Sequence, residues 1–200
     1  SDSTSGEVNL LSPNVIHLPR GGYRMFYSVL GSVQDYENSR GNIRSAFSKD
    51  GETWRKEPGV RMDVHESLAT QRVLSPDVVQ LLDGRFRMYY AALWYGPNRF
   101  EDSTAVIRSA ISNDAVSWHP EPGERLRPFG QHASLRVLCP DVVTCPEGGY
   151  RMYCEASAPQ RPSVVLSAVS SDGLAWEPEA GVRIGDGVDS FGSPRCLYFQ

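Results

Sequence analysis

Long apolar runs are missing from this 200-residue chain, and so is a surplus of either charge. No stretch reaches the roughly 18 apolar residues that a membrane-spanning helix needs. No basic segment followed by an apolar run opens the chain. Twenty Lys and Arg against 24 Asp and Glu leave a formal net charge of −4. Without a basic stripe, neither nucleic acid nor a membrane surface is an expected partner. Cysteine is scarce: Cys139, Cys145, Cys154 and Cys196 lack C-x-x-C spacing. They read as buried thiols, with Cys154 opposite Asp141 on the hairpin register, and no metal or cofactor is expected. Amphipathic helical periodicity over about ten residues or more is also absent. Location stays open, with a soluble cytoplasmic chain favoured over a secreted one.

What is there is repetition. The segment from Ser12, SPNVIHLPRGGYRMFYS, returns from Ser75 as SPDVVQLLDGRFRMYYA and from Cys139 as CPDVVTCPEGGYRMYCE. The segment from Ile43, IRSAFSKDGETWRKEPGVRM, returns from Ile107 and, as VLSAVSSDGLAWEPEAGVRI, from Val165. The opening prolines stand at 13, 76, 140 and 194, at intervals of 63, 64 and 54. Units of this size bury their apolar faces only by stacking on neighbours. The units run over about 12–62, 75–126 and 139–184, with a fourth beginning at 193 in an incomplete array.

Each unit reads as four strands. Val78–Leu82 and Phe86–Tyr90 flank Asp83-Gly84, a strong hairpin signal. A third run spans Ala105 to Ser112, and a fourth follows Trp118 with Pro120 and Pro122. Proline donates nothing to a ladder, so that last strand is an edge. Four antiparallel strands per unit describe an all-β propeller, here about three blades plus the first strand of a fourth. The tight turns lie on one face. Loops 28–42, 91–104 and 155–163 and the inter-unit links lie on the other, where function is expected.

The turns Ser48-Lys49-Asp50-Gly51-Glu52-Thr53-Trp54 and Ser170-Ser171-Asp172-Gly173-Leu174-Ala175-Trp176 resemble those of the five-bladed β-propeller glycoside hydrolases. So do the P-D-V-V strands followed by R-M-Y-Y. That superfamily includes arabinanases, β-xylosidases, invertases and levanases. The resemblance implies a hydrolase or transglycosidase acting on a carbohydrate through carboxylates at the hub. The alternative is a non-catalytic propeller that binds carbohydrate or a protein partner on the loop face. Such enzymes carry carboxylates beside the inner-strand proline, where this chain has Ser12, Ser75 and Leu138.

Several residues compete for roles. Asp77 and Asp141 follow the proline on adjacent inner strands, as a carboxylate pair would, or else each caps its own blade. Arg72 and Arg136 each lie four residues before that proline, placed to clamp an anion at the hub rim or to bridge blades. His65 and His132 sit in equivalent links and suit proton transfer or plain surface loops. Glu155 stands where the other units have Ser28 and Ala91, which makes it the leading general acid. Trp94 and Tyr95 suit the apolar face of a sugar ring, or the packing of a long loop. Trp54, Trp118 and Trp176 recur in every unit and read as buried inter-blade core. An oligomer that completes the ring is the alternative to a longer array.

Overall fold

The computed structural model describes residues 9–31, 39–64, 71–185 and 187–197, and among them there are strands but no helix. The first unit is β1 (Asn9–His17), β2 (Tyr23–Leu30), β3 (Gly41–Ser48) and the short β4 (Arg55–Lys56). The second is β5 (Arg72–Gln80), β6 (Phe86–Gly96), β7 (Arg99–Ser112) and β8 (His119–Pro120). The third is β9 (Arg136–Thr144), β10 (Tyr150–Ser157), β11 (Val164–Ser170) and β12 (Glu177–Pro178). Within each unit neighbouring strands pair antiparallel. Single parallel pairings, Gly41↔Arg72 and Ala105↔Arg136, join one unit to the next inner strand. This is the expected all-β propeller array.

One loop differs from expectation. Segment 91–104 is no irregular excursion but a long hairpin. Ala91–Leu93 pair with Ala105–Ile107 in register and are buried, so the ladder continues to Gly96 before it turns. Trp94 and Tyr95 are therefore strand residues.

The turn that precedes each edge strand is built by one aspartate. Asp50 Oδ1 accepts from the Glu52 and Thr53 amides at 2.9 Å, and Ser48 Oγ accepts from Gly51 N. Those amides hold the Asp50 carboxyl down at about 2. Gly51 is left-handed, with φ 82, as the turn demands. In the second unit Ala115 takes that position at φ 59.

The units lock together through recurring contacts. Arg24 forks onto Glu57, just past its own edge strand, at 2.8 and 2.9 Å and donates to the Asp114 carbonyl of the next unit at 3.1 Å. Arg87 repeats this with Glu121 and the Asp172 carbonyl. Trp118 meets Phe26 edge-on at 5.6 Å, and Trp176 meets Tyr89 at 5.7 Å. Such pairs add about 0.5–1.5 kcal/mol beyond area burial. The three tryptophans are half-buried rather than buried: Trp118 and Trp176 lay one edge on the preceding unit and leave the rest to solvent, and Trp54 packs only within its own unit.

Candidate functional site

The inner strands converge on a hub, and a bulge shapes it. Register shifts occur between Leu11 and Asn14, between Leu74 and Asp77, and opposite Tyr153 and Glu155. At each bulge the residue before proline is left-handed: Ser12 at φ 51, Ser75 at 54 and Cys139 at 49, and Ser193 follows at 49. Four non-glycine residues in that region at one repeat position indicate imposed strain. It brings their side chains together. Ser75 Oγ lies 3.3 Å from Ser12 Oγ and 3.4 Å from Cys139 Sγ, and Ser193 Oγ lies 3.5 Å from Cys139 Sγ. Three hydroxyls and a thiol thus form one layer of the hub. The same bulge sets Cys154 opposite Cys139-Pro140, while Asp141 faces Tyr153, which corrects the expected partner of Cys154.

A charged layer lies two residues along. Asn14 Nδ2 donates to Asp77 Oδ1 at 2.7 Å, and Asp77 Oδ2 accepts from Val142 N at 2.9 Å. Asn14 Oδ1 accepts from Val78 N, and Asp141 Oδ2 from Cys196 N at 2.6 Å. Each of the three side chains therefore ties its strand to the next inner strand. This differs from the expectation that the aspartates cap their own blades. Asp77 is buried, and its burial and the charge of Asp141 push its carboxyl up to about 7 against the Val142 amide. Arg195, in the fourth copy of this position, meets Asp141 at 3.4 Å and the Pro13 carbonyl of the first unit at 3.3 Å.

Glu155 stands beside the hydroxyl layer. Its Oε2 accepts from Ser193 N at 3.3 Å, and a Cβ on Gly192 would collide with its carboxylate. Ser28, at the same repeat position, accepts from Ser75 N at 2.8 Å. Glu155 therefore repeats a structural bond that Ser28 makes, and Ala91 lacks the group to make it. Burial pushes the Cys139 thiol up, and the charge of Glu155 pushes the same way. Burial lowers the Arg136 guanidinium, and Glu155 opposes that. The carboxylate is thus within electrostatic reach of both.

The remaining candidates are placed differently. Arg72 is wholly buried, donates to the Ser39 carbonyl at 3.0 Å and stacks 5.1 Å over the Tyr95 ring. Arg136 donates to Ser103 Oγ at 2.8 Å, from the start of the equivalent strand. Both arginines bridge to the preceding unit, and Arg72 presents no guanidinium at the hub rim. Trp94 packs against the core beneath Arg108, 5.9 Å from its ring. His132 lines a groove over the third edge strand with Phe129, Pro178 and Val182, apart from the hub residues. His65 lies outside the described residues. The structure thus brings Glu155, Arg136, Asp77 and Asp141 toward one hub and leaves His132 outside it. Sequence reasoning read Ser12 and Ser75 only as missing carboxylates and Cys139 only as a buried thiol, and so passed over the layer they form with Ser193. The signal was the residue before each repeated proline.

No family model matches the chain. Two uncharacterized proteins of Mycobacterium tuberculosis, from strains CDC 1551 and H37Rv, are each 29% identical over 161 residues. That match covers 78% of this chain and 50% of theirs, so the chain spans about half the length of the relatives it matches. A family 117 glycoside hydrolase of the marine bacterium Zobellia galactanivorans superposes with a TM-score of 0.74 at 19% identity, over 90% of this chain and 57% of that one. A thermostable family-43 glycoside hydrolase gives 0.73 at 17%, over 93% and 60%. The Bombyx mori GH32 β-fructofuranosidase gives 0.71 at 16%, over 90% and 38%. The fold matches the propeller fold of these glycoside hydrolases. At these identities the likeness carries the fold alone.

Proposed function

We propose that the chain forms part of a carbohydrate-processing propeller that seats a sugar at the hub, with Glu155 as its acid. The observation that supports this most is the hub layer. Ser12, Ser75, Cys139 and Ser193 touch at 3.3–3.5 Å and offer convergent donors and acceptors of the kind that sugar hydroxyls pair with. Glu155 adjoins that layer through Ser193 and Cys139. A carboxylic acid there is placed to protonate a leaving glycosidic oxygen. Asp77 and Asp141 are the other carboxylates of the hub, and each would serve only by releasing an amide of the next strand.

That last point favours a second reading, a propeller that binds carbohydrate without cleaving it. Glycosidases of the common type need two carboxylates about 5–10 Å apart, and both hub aspartates are committed to inter-strand bonds. One experiment separates the readings. Hydrolysis of a panel of aryl furanosides and pyranosides is measured for the wild type and Glu155→Gln, alongside sugar binding by calorimetry. Hydrolysis lost in Glu155→Gln with binding kept supports the enzyme. Binding without hydrolysis in the wild type supports the binding module. Hydrolysis unchanged in Glu155→Gln removes Glu155 from the mechanism.

A further inference from the structure

A cavity of about 200 Å³ lies between the link that leaves the first unit and the outer strands of the second. Met62, Val73, Tyr90, Arg108 and Trp118 are among its walls. In the third unit Cys154 and Leu166 stand at the repeat positions of Tyr90 and Arg108, and both are buried in an apolar core. The second unit therefore places a phenol and a cation where its neighbour has two apolar groups. The cation is poorly matched. Arg108 is 14% exposed, and its one hydrogen bond, to Glu124, is a long 3.4 Å. Its Nε–H is buried without an acceptor. Arg24 and Arg87, by contrast, fork onto carboxylates at 2.8–3.0 Å. Holding a guanidinium out of water on so little is unfavourable. The indole beside it is released as well. Trp54 and Trp176 donate Nε1–H to the Gly51 and Gly173 carbonyls at 3.1 Å. In the second unit Ala115 replaces that glycine, and the Trp118 N–H has no acceptor.

We infer that this cavity binds a small organic anion, a single ring that carries one carboxylate. The carboxylate pairs with Arg108, and the ring lies against Trp118, Met62 and Val73. Size selects one ring, since a cavity of about 150 Å³ already admits benzene. Charge selects the acid. Arg61 and Arg108 line the cavity against the single carboxylate of Asp63, which is exposed. Arg61 is committed to Ser45 Oγ at 2.7 Å and the Pro58 carbonyl at 3.0 Å. Arg108 is therefore the cation with donors to spare, and a carboxylate matches its planar fork. Burial pushes the Tyr90 phenol up to about 12, so it stays neutral and keeps a proton to donate. None of the residues of the hub layers is among the walls, so the site is separate from the one proposed for Glu155.

The test is calorimetric titration of the whole chain with benzoate and with glucuronate, beside their uncharged counterparts benzamide and glucose. Saturable one-to-one binding of at least one acid is expected, about tenfold or more tighter than its counterpart, the worth of a hydrogen bond between charged groups. A preference for glucuronate assigns the site to sugar acids, and a preference for benzoate to aromatic ones. Arg108→Leu should weaken binding about tenfold or more. It brings the third unit's own residue to this position, so the fold should hold, and thermal unfolding checks that. Arg108→Gln, which keeps a donor without the charge, is the second variant and should lose binding as well. Glu155→Gln should bind as the wild type does, whether or not the hub processes a sugar. Three results would overturn the inference: neither acid saturates, the uncharged counterparts bind equally well, or both Arg108 variants bind unchanged. Binding lost in Glu155→Gln and kept in Arg108→Leu would place the acid in the hub, which also overturns it.

Discussion

Tyr89 and Tyr153 occupy one position of the repeat and live in different surroundings. Tyr89 is wholly buried, takes the edge of Trp176 and donates its hydroxyl to the Gly173 carbonyl at 2.9 Å. Tyr153 is half-exposed and has no tryptophan against it among the described residues. The difference comes from neighbours and not from the residue. In a stacked array a blade's core is completed by the next blade. The fit at Tyr89 is close enough that a Cβ on Gly173 would come within 2.6 Å of the tyrosine oxygen and 2.7 Å of Arg87. Replacing the two tyrosines by alanine breaks this comparison most sharply. Tyr89→Ala is expected to cost about 3–5 kcal/mol, as large core truncations do. Tyr153→Ala should cost about 1 kcal/mol or less. Urea denaturation measures both, and equal losses would mean that the third unit is as well covered as the second.

The tryptophans sharpen the same contrast at smaller scale. Trp118 and Trp176 each pack on the ring of a preceding unit, whereas Trp54 faces a shallow apolar groove with Leu10, Pro13, Met25 and Tyr27. Trp118→Ala and Trp176→Ala are expected to cost about 2–3 kcal/mol, below the full core value because each is half-buried. Trp54→Ala should cost about 1 kcal/mol or less, since its burial lacks one wall. Thermal unfolding of the three variants side by side tests the ordering.

A third contrast sets Asp77 against the turn aspartate Asp50. Backbone amides hold Asp50 down at about 2, while burial and Asp141 push Asp77 up to about 7. A carboxyl raised on folding binds its proton more tightly in the native state. Its contribution is therefore fully present below the ordinary value near 3.8 and is lost as pH rises through about 7. Stability should fall across that window, by at most about 4 kcal/mol. Asp77→Asn should flatten the decline, and Asp141→Asn should narrow the window by removing the neighbouring charge. A profile that rises from pH 4 to pH 7 and is unaffected by Asp77→Asn would contradict this.

The architecture was legible because it is written three times. Prolines, turn aspartates and strand alternation repeat in phase, and each alone carries local structural meaning. Asp50, Asp114 and Asp172 announce their turns within a few residues. The roles at the hub were less legible, since they depend on which neighbour a side chain reaches. Arg72 and Arg136 read as a clamp in isolation, yet bond Ser39 and Ser103 across a joint. Glu155 looked singular because carboxylate and hydroxyl were compared by charge. Compared by what they accept, Glu155 and Ser28 are the same. The long hairpin of the second unit was missed because polar residues at its tip masked a ladder that alanines and valines sustain.

That equivalence gives the smallest predicted effect and the most direct separation of structure from function. Ser28→Ala removes the buried acceptor of the Ser75 amide and should cost about 1–2 kcal/mol, the penalty for an orphaned buried donor. Glu155→Gln keeps an oxygen that accepts from Ser193 N, and its partner is more exposed. Its stability should change by about 0.5 kcal/mol or less. A sugar-processing role for Glu155 would then appear as lost turnover at unchanged stability, since an amide accepts but cannot deliver a proton. Glu155→Ala completes the comparison: it removes acceptor and acid together, so it should lose both turnover and some stability. If Glu155→Gln unfolds the chain as readily as Glu155→Ala, the charge itself holds Ser193 in place, and Glu155 differs from Ser28 structurally as well as chemically.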